Sequence, residues 1–140
     1  MSQVSRVNVY DYVNRAVLRA FPNAYVSGKW EPVPQGFPSV CIRQIGNFRV
    51  ERNVSFTGEQ GVRSSTFEVQ IQTNAENSSL EDAEAITECI TEAFQTLFYI
   101  NTAVNVVENG DRGIYRMVAT FRRIIGKADQ MPTEEEGEEP

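Results

Sequence analysis

The densest set of groups with chemical potential is acidic: Glu81, Asp82, Glu84, Glu88 and Glu92. Two carboxylates at a fixed separation can hydrolyse a glycoside or hold Mg²⁺. Here the three- and four-residue spacing sets Glu81, Glu84, Glu88 and Glu92 along the outer surface of one helical segment. Nothing nearby desolvates one acid relative to another, and acid–base work needs that asymmetry. They read as a solvated face. The sequence contains no histidine, which removes Ser-His-Asp and Cys-His catalysis, the usual proton shuttle near neutral pH and the commonest transition-metal ligand. Gly58-Glu59-Gln60-Gly61 runs into Val62-Arg63, where a phosphate-binding loop needs a lysine and a hydroxyl. Cys41 and Cys89 lie in apolar periodic segments without the spacing of a metal knuckle or redox pair, so both are expected as reduced core residues of a protein kept in a reducing, cytoplasmic compartment. The expectation is a protein with no catalytic residues, no cofactor and no metal.

Binding chemistry is better represented. Arg116, Arg122 and Arg123 form a basic cluster, but strand alternation sets Arg116 and Arg122 on one face, where Glu68 or Gln70 of a neighbouring strand can pair with them. Trp30 and Phe37 sit in a proline-rich loop; an aromatic there either anchors a partner or packs over the edge of its own sheet. Phe48 and Phe56 beside Arg49 and Arg52 have the composition of a single-strand nucleic-acid platform. A small-molecule site or a histidine-free enzyme would need a pocket holding Tyr99, Tyr115 or Arg116.

The elements that position these residues follow from periodicity. Between Val7 and Phe21 the apolar residues Val9, Tyr12, Val13, Ala16, Val17 and Ala20 recur at helical spacing, and Pro22 disfavours continuation. A short strand is expected at Ala24–Val26, then an irregular loop from Gly28 to Pro38. Val40–Ile45 reads as one strand and Phe48–Val50, extending towards Val54 and Phe56, as another. In Thr66–Thr73, Phe67, Val69, Ile71 and Thr73 alternate with Thr66, Glu68, Gln70 and Gln72, predicting one dry and one wet face. Ser78 and Glu81 have the spacing of a capping box for a helix whose stripe is Leu80, Ala83, Ile86, Ile90, Ala93, Phe94 and Leu97. A hairpin closes the order: Val104–Val107, a turn at Asn109-Gly110-Asp111, and Ile114–Ile125. The prediction is an α+β domain in the order α-β-β-β-α-β-β, its mostly antiparallel or mixed sheet carrying two helices on one face.

The chain has 140 residues and a net charge of −6, with 19 acidic residues against 13 Lys and Arg. Asp129, Glu134, Glu135, Glu136, Glu138 and Glu139 all follow the last base, Lys127, so the body is close to neutral. That argues against sequence-specific nucleic-acid binding. No secretory leader or membrane span is evident, the length suits one domain over residues 1–127, and 128–140 is expected to be a disordered acidic tail.

The helix ending in Phe21-Pro22, the loop into Gly36-Phe37-Pro38, the strand Phe67-Glu68-Val69-Gln70-Ile71-Gln72-Thr73, the helix Ala83–Phe98 and the closing Gly113–Arg122 segment together resemble the tail terminator (tail completion) and neck proteins of long-tailed bacteriophages. The resemblance spans roughly residues 7–125 and rests on element order and local character. It implies a structural virion protein without enzymatic activity, made in the host cytoplasm. Such a subunit forms a ring, typically a hexamer, that caps the tail tube and meets the head-side connector. Other neck, head-closure or tube subunits are the nearest alternatives. Subunit or partner contacts would then fall on the loops 28–38 and 53–65, at Lys29, Trp30, Glu31, Phe37, Phe56 and Arg63. The acidic extension has no counterpart in the family pattern.

Overall fold

In the computed structural model the described residues are 3–31, 34–49, 62–74, 79–107, 114–126 and 128–132. Helix α1 is Arg6–Ala20, capped by Ser5, whose hydroxyl accepts from the Asn8 N–H at 3.2 Å. It buries Val9, Val13 and Val17 and ends where Phe21 N–H returns to the Val17 carbonyl, one residue before Pro22. Strands β1 (Tyr25–Ser27), β2 (Ser39–Arg49) and β3 (Val62–Asn74), helix α2 (Ser79–Thr96), and strands β4 (Ile100–Val107) and β5 (Ile114–Gly126) follow. The α+β order α-β-β-β-α-β-β is therefore as the periodicity predicts.

The sheet order is β1-β2-β3-β5-β4. β1 runs parallel to β2 and every other pairing is antiparallel, so the sheet is mixed. β3 is central because both of its neighbours pair along nearly its whole length. One face carries the core: Val40 and Ile42 of β2, Phe67, Val69 and Ile71 of β3, and Met117, Ala119 and Phe121 of β5 meet the stripes of α1 and α2. Phe94 of α2 sits at the middle of an aromatic cluster, stacked on Phe121 with centroids 4.3 Å apart and edge-on to Tyr99 at 5.2 Å. Fully burying one such side chain contributes about 1.5–3 kcal/mol.

Four details differ from the sequence reading. β2 is one strand through Arg49, because a bulge between Gln44 and Gly46 absorbs Ile45 and lets pairing with β3 resume. Val50, Val54, Phe56, the Asn109–Asp111 turn and Ser78 of the capping box lie outside the described residues. The supposedly wet face of β3 is largely dry: Ser64, Gln70 and Gln72 are buried, since strands flank β3 on both sides and the loop after β1 folds over that face. The start of the tail is packed. Met131 is 8% exposed, Gln130 bridges to Gln3, and Asp129 accepts from the Gly126 N–H while pairing with Arg123 at 3.1 Å. Residues 129–131 thus pack onto the body of the domain. Finally, Cys41 is buried but Cys89 is half-buried, on the α2 flank next to α1 with its thiol 3.7 Å from the Ala16 carbonyl; both are free thiols.

Candidate assembly surfaces

Register puts Ser39, Cys41 and Arg43 of β2 across from Gln72, Gln70 and Glu68 of β3, on the face away from the helices. Residues 28–31, following β1, return over this polar face. Trp30 Nε1–H donates to Gln70 Oε1 at 2.5 Å, and the Arg116 guanidinium lies 5.7 Å from the Trp30 ring. Glu31 is half-buried and accepts from the Tyr25 hydroxyl at 3.4 Å, while Lys29 is exposed with its carbonyl accepting from Ser27. Phe37 is half-buried and precedes a cis proline. Of the two roles for Trp30, packing over its own sheet is the one this geometry provides.

Electrostatics follow from the same cover. Burial pushes the Glu68 carboxyl up, but hydrogen bonds from Gln70 and Arg43, the latter at 2.7 Å, outweigh it and hold the group below the usual glutamate range. Burial raises the Cys41 thiol, with Glu68 and Glu31 adding to the effect against Arg43, so it is a poor nucleophile at neutral pH. Arg43, rather than Arg116 or Arg122, is the ion-pair partner of Glu68. Arg116 faces Gln72 across the strands and Arg122 donates to Ser64 at 3.2 Å. Four buried side-chain atoms near this face have no hydrogen-bond partner among the described residues: Glu31 Oε1, Arg43 Nε, Gln72 Nε2 and Arg116 Nε.

The residues proposed for a small-molecule site do not converge. Tyr99 is buried on the helix side, its hydroxyl 2.9 Å from Ser65 Oγ, and burial raises its pKa. Tyr115 also packs against the core, whereas Arg116 lies on the opposite face with the sheet between them. Glu81, Glu84, Glu88 and Glu92 are exposed, and among the described residues no acidic or cysteine cluster could hold a metal. Arg63 is not in a loop: residues 62–65 belong to β3, where Arg63 pairs with Arg49 and Ile125. Phe48 is 61% exposed beside exposed Arg49; Arg52 and Phe56 lie outside the described residues. Among the described residues no helix is long and apolar enough to cross a membrane.

The surface that periodicity missed is the β4 edge. Among the described residues β4 has one neighbour, β5, and its sequence INTAVNVV contains neither a charge nor a proline. Edge strands are ordinarily guarded by such residues against pairing with other chains. Val104 and Val106 are 42% and 58% exposed, and Met117, the register partner of Val106, lines a hollow with Glu84, Glu88 and Glu92 of α2. At the top of this edge α2 ends in a Schellman motif, with Tyr99 N–H bonded to the Phe94 carbonyl and Phe98 N–H to that of Gln95. The left-handed position of that motif normally holds glycine. Here it holds Phe98, at φ 66° and 75% exposed, with Arg123 5.5 Å from its ring. A side chain in this conformation costs roughly 1–2 kcal/mol. The single sequence signal was an aromatic where a helix cap calls for glycine.

No protein-family profile matches this chain, and no curated protein matches it.

Proposed function

We propose that this protein is a structural virion component of a tailed bacteriophage, a tail terminator that assembles as a ring at the end of the tail tube and joins it to the head-side connector. The observation that carries the reading is the β4 edge, uncharged and open among the described residues, on a sheet whose two helices both pack against one face. A small domain of this shape can be set side by side with copies of itself, and cyclic symmetry repeats one modest contact until the ring closes. The resemblance in element order around Phe21-Pro22, Gly36-Phe37-Pro38 and the closing strand points the same way. Reactive groups gathered in a pocket would favour an enzyme; Tyr99 and Arg116 instead lie on opposite faces of the sheet.

In this reading the protein acts by geometry. The covered polar face keeps the sheet rigid, the edges join subunits, and the ends of the strands meet the tube protein on one side and the connector on the other. Light scattering over a range of concentration, followed by negative-stain imaging, tests it. A ring of about six 15.8 kDa subunits with a central hole is expected. Recovery of the protein at the tube end of tails made without heads separates a terminator from a head-side neck protein.

A further inference from the structure

The ring reading leaves open which surfaces join one subunit to the next. We infer that the β4 edge, anchored by Phe98, receives the open half of β2 from a second copy of this chain in a head-to-tail, antiparallel strand contact. This rests on the ring reading and gives it residues.

Among the described residues β1 covers β2 only from Ser39 to Cys41, so Ile42–Arg49 has β3 on one side and no strand on the other. Among the same residues β4 pairs with β5 on one side and with no strand on the other. Each edge presents large apolar side chains to solvent: Phe98 and Ile100 at 75% and 69% exposure on one, Ile45 and Phe48 at 52% and 61% on the other. Within the sheet β2 and β4 run in opposite directions, because three antiparallel steps separate them. A neighbouring copy placed alongside in the same orientation therefore offers its β2 antiparallel to β4, continuing the ladder.

Charge selects this arrangement over a two-fold pairing of β4 with itself. A two-fold axis there would bring the α2 flank with Glu84, Glu88 and Glu92 against its own copy, acid against acid. The β2 edge instead carries exposed Arg49 on the helix side, and beside it the α1 flank carries exposed Arg6, which lines a hollow with Tyr10, Ile42 and Gln44. Those arginines and the β2 bulge guard this edge against its own like while suiting an acid-flanked strand. Phe98 fits the role of anchor. An aromatic kept exposed in a conformation that favours glycine, and steadied by Arg123, is pre-organised for a contact outside its own fold.

The test is reciprocal. Phe98→Gly relieves the left-handed strain but loses the ring–guanidinium contact, so Tm should stay within about 3 °C of wild type. Association should weaken by about thirtyfold or more, read as light-scattering mass against concentration. Val104→Lys and Ile45→Lys each block one edge and should each leave a folded 15.8 kDa monomer. Mixed, they retain one intact pair of edges and should form a 1:1 dimer that goes no further. If wild type forms rings and all three variants do so equally well, this edge contact is wrong and the ring reading stands. If the two lysine variants fail to dimerise when mixed, the β2–β4 pairing is wrong. If wild type remains monomeric at every concentration, both this contact and the ring as a self-assembling unit are overturned.

Discussion

Along β3, Phe67, Val69 and Ile71 face the helices at 1% exposure or less, while on the other face Gln70 and Gln72 are only 7% and 4% exposed. The two faces are almost equally dry, yet different interactions hold them. The helix side is filled by aromatic and branched side chains that need nothing but close packing. The other side is closed by the loop after β1 through directional contacts: Trp30 on Gln70, Arg116 over Trp30, Arg43 on Glu68. A face built of directional contacts stabilises less per residue, because each buried polar group has exchanged water for one protein partner. It also tolerates less substitution without leaving a group unpaired. The contrast assigns the helix side to stability and the loop side to the shape of the polar face.

Four substitutions test that contrast. Phe94→Ala removes the centre of the aromatic cluster and should cost about 3–5 kcal/mol in urea unfolding, enough to leave the domain marginal at 37 °C. A loss below about 1 kcal/mol would mean that the helix layer is loosely packed. Trp30→Ala on the opposite face opens the cover and strands Gln70; about 2 kcal/mol is expected, with Arg116 and Gln72 gaining hydrogen exchange before global unfolding. Trp30→Phe keeps a smaller ring over Arg116 but removes the N–H donor, so roughly 1 kcal/mol should be lost.

Glu68→Gln has the smallest effect and a distinctive pH signature. The folded-state pKa lies below the unfolded value, so the carboxylate's contribution is present above the ordinary glutamate range near pH ~4.3 and is lost as pH falls through the lower folded value. The variant should be less stable than wild type by under about 1 kcal/mol at pH 7, and the gap should close in acid. A gap unchanged down to low pH would show that the Arg43 pair is not what holds Glu68 ionised.

Much of this architecture is legible from residue spacing. The stripes Val9-Val13-Val17 and Ala83-Ile86-Ile90-Phe94 name the buried faces of both helices, because a helix packed on one side must repeat its apolar residues every three to four positions. Alternation in β3 likewise sorts Phe67, Val69 and Ile71 from Glu68, Gln70 and Gln72. The candidate contacts were less legible. Lys29 is exposed as a loop residue should be, whereas Trp30 and Glu31 are turned onto their own sheet and Arg63 belongs to a strand.

Local spacing by itself determined the elements, their order and which side of each is apolar, since those depend on neighbours within a turn or two. Only the tertiary structure decided what covers the polar side of β3, because Trp30 and Gln70 meet across a wide separation that no local period encodes. It also decided that β2 continues through a bulge, which depends on β3 resuming its register, and that β4 is an outer strand, which depends on where β5 inserts. Phe98 belongs to both accounts: its residue type is written in the sequence, but its left-handed backbone exists only because Tyr99 turns back to bond Phe94 and bury its ring beside Phe67.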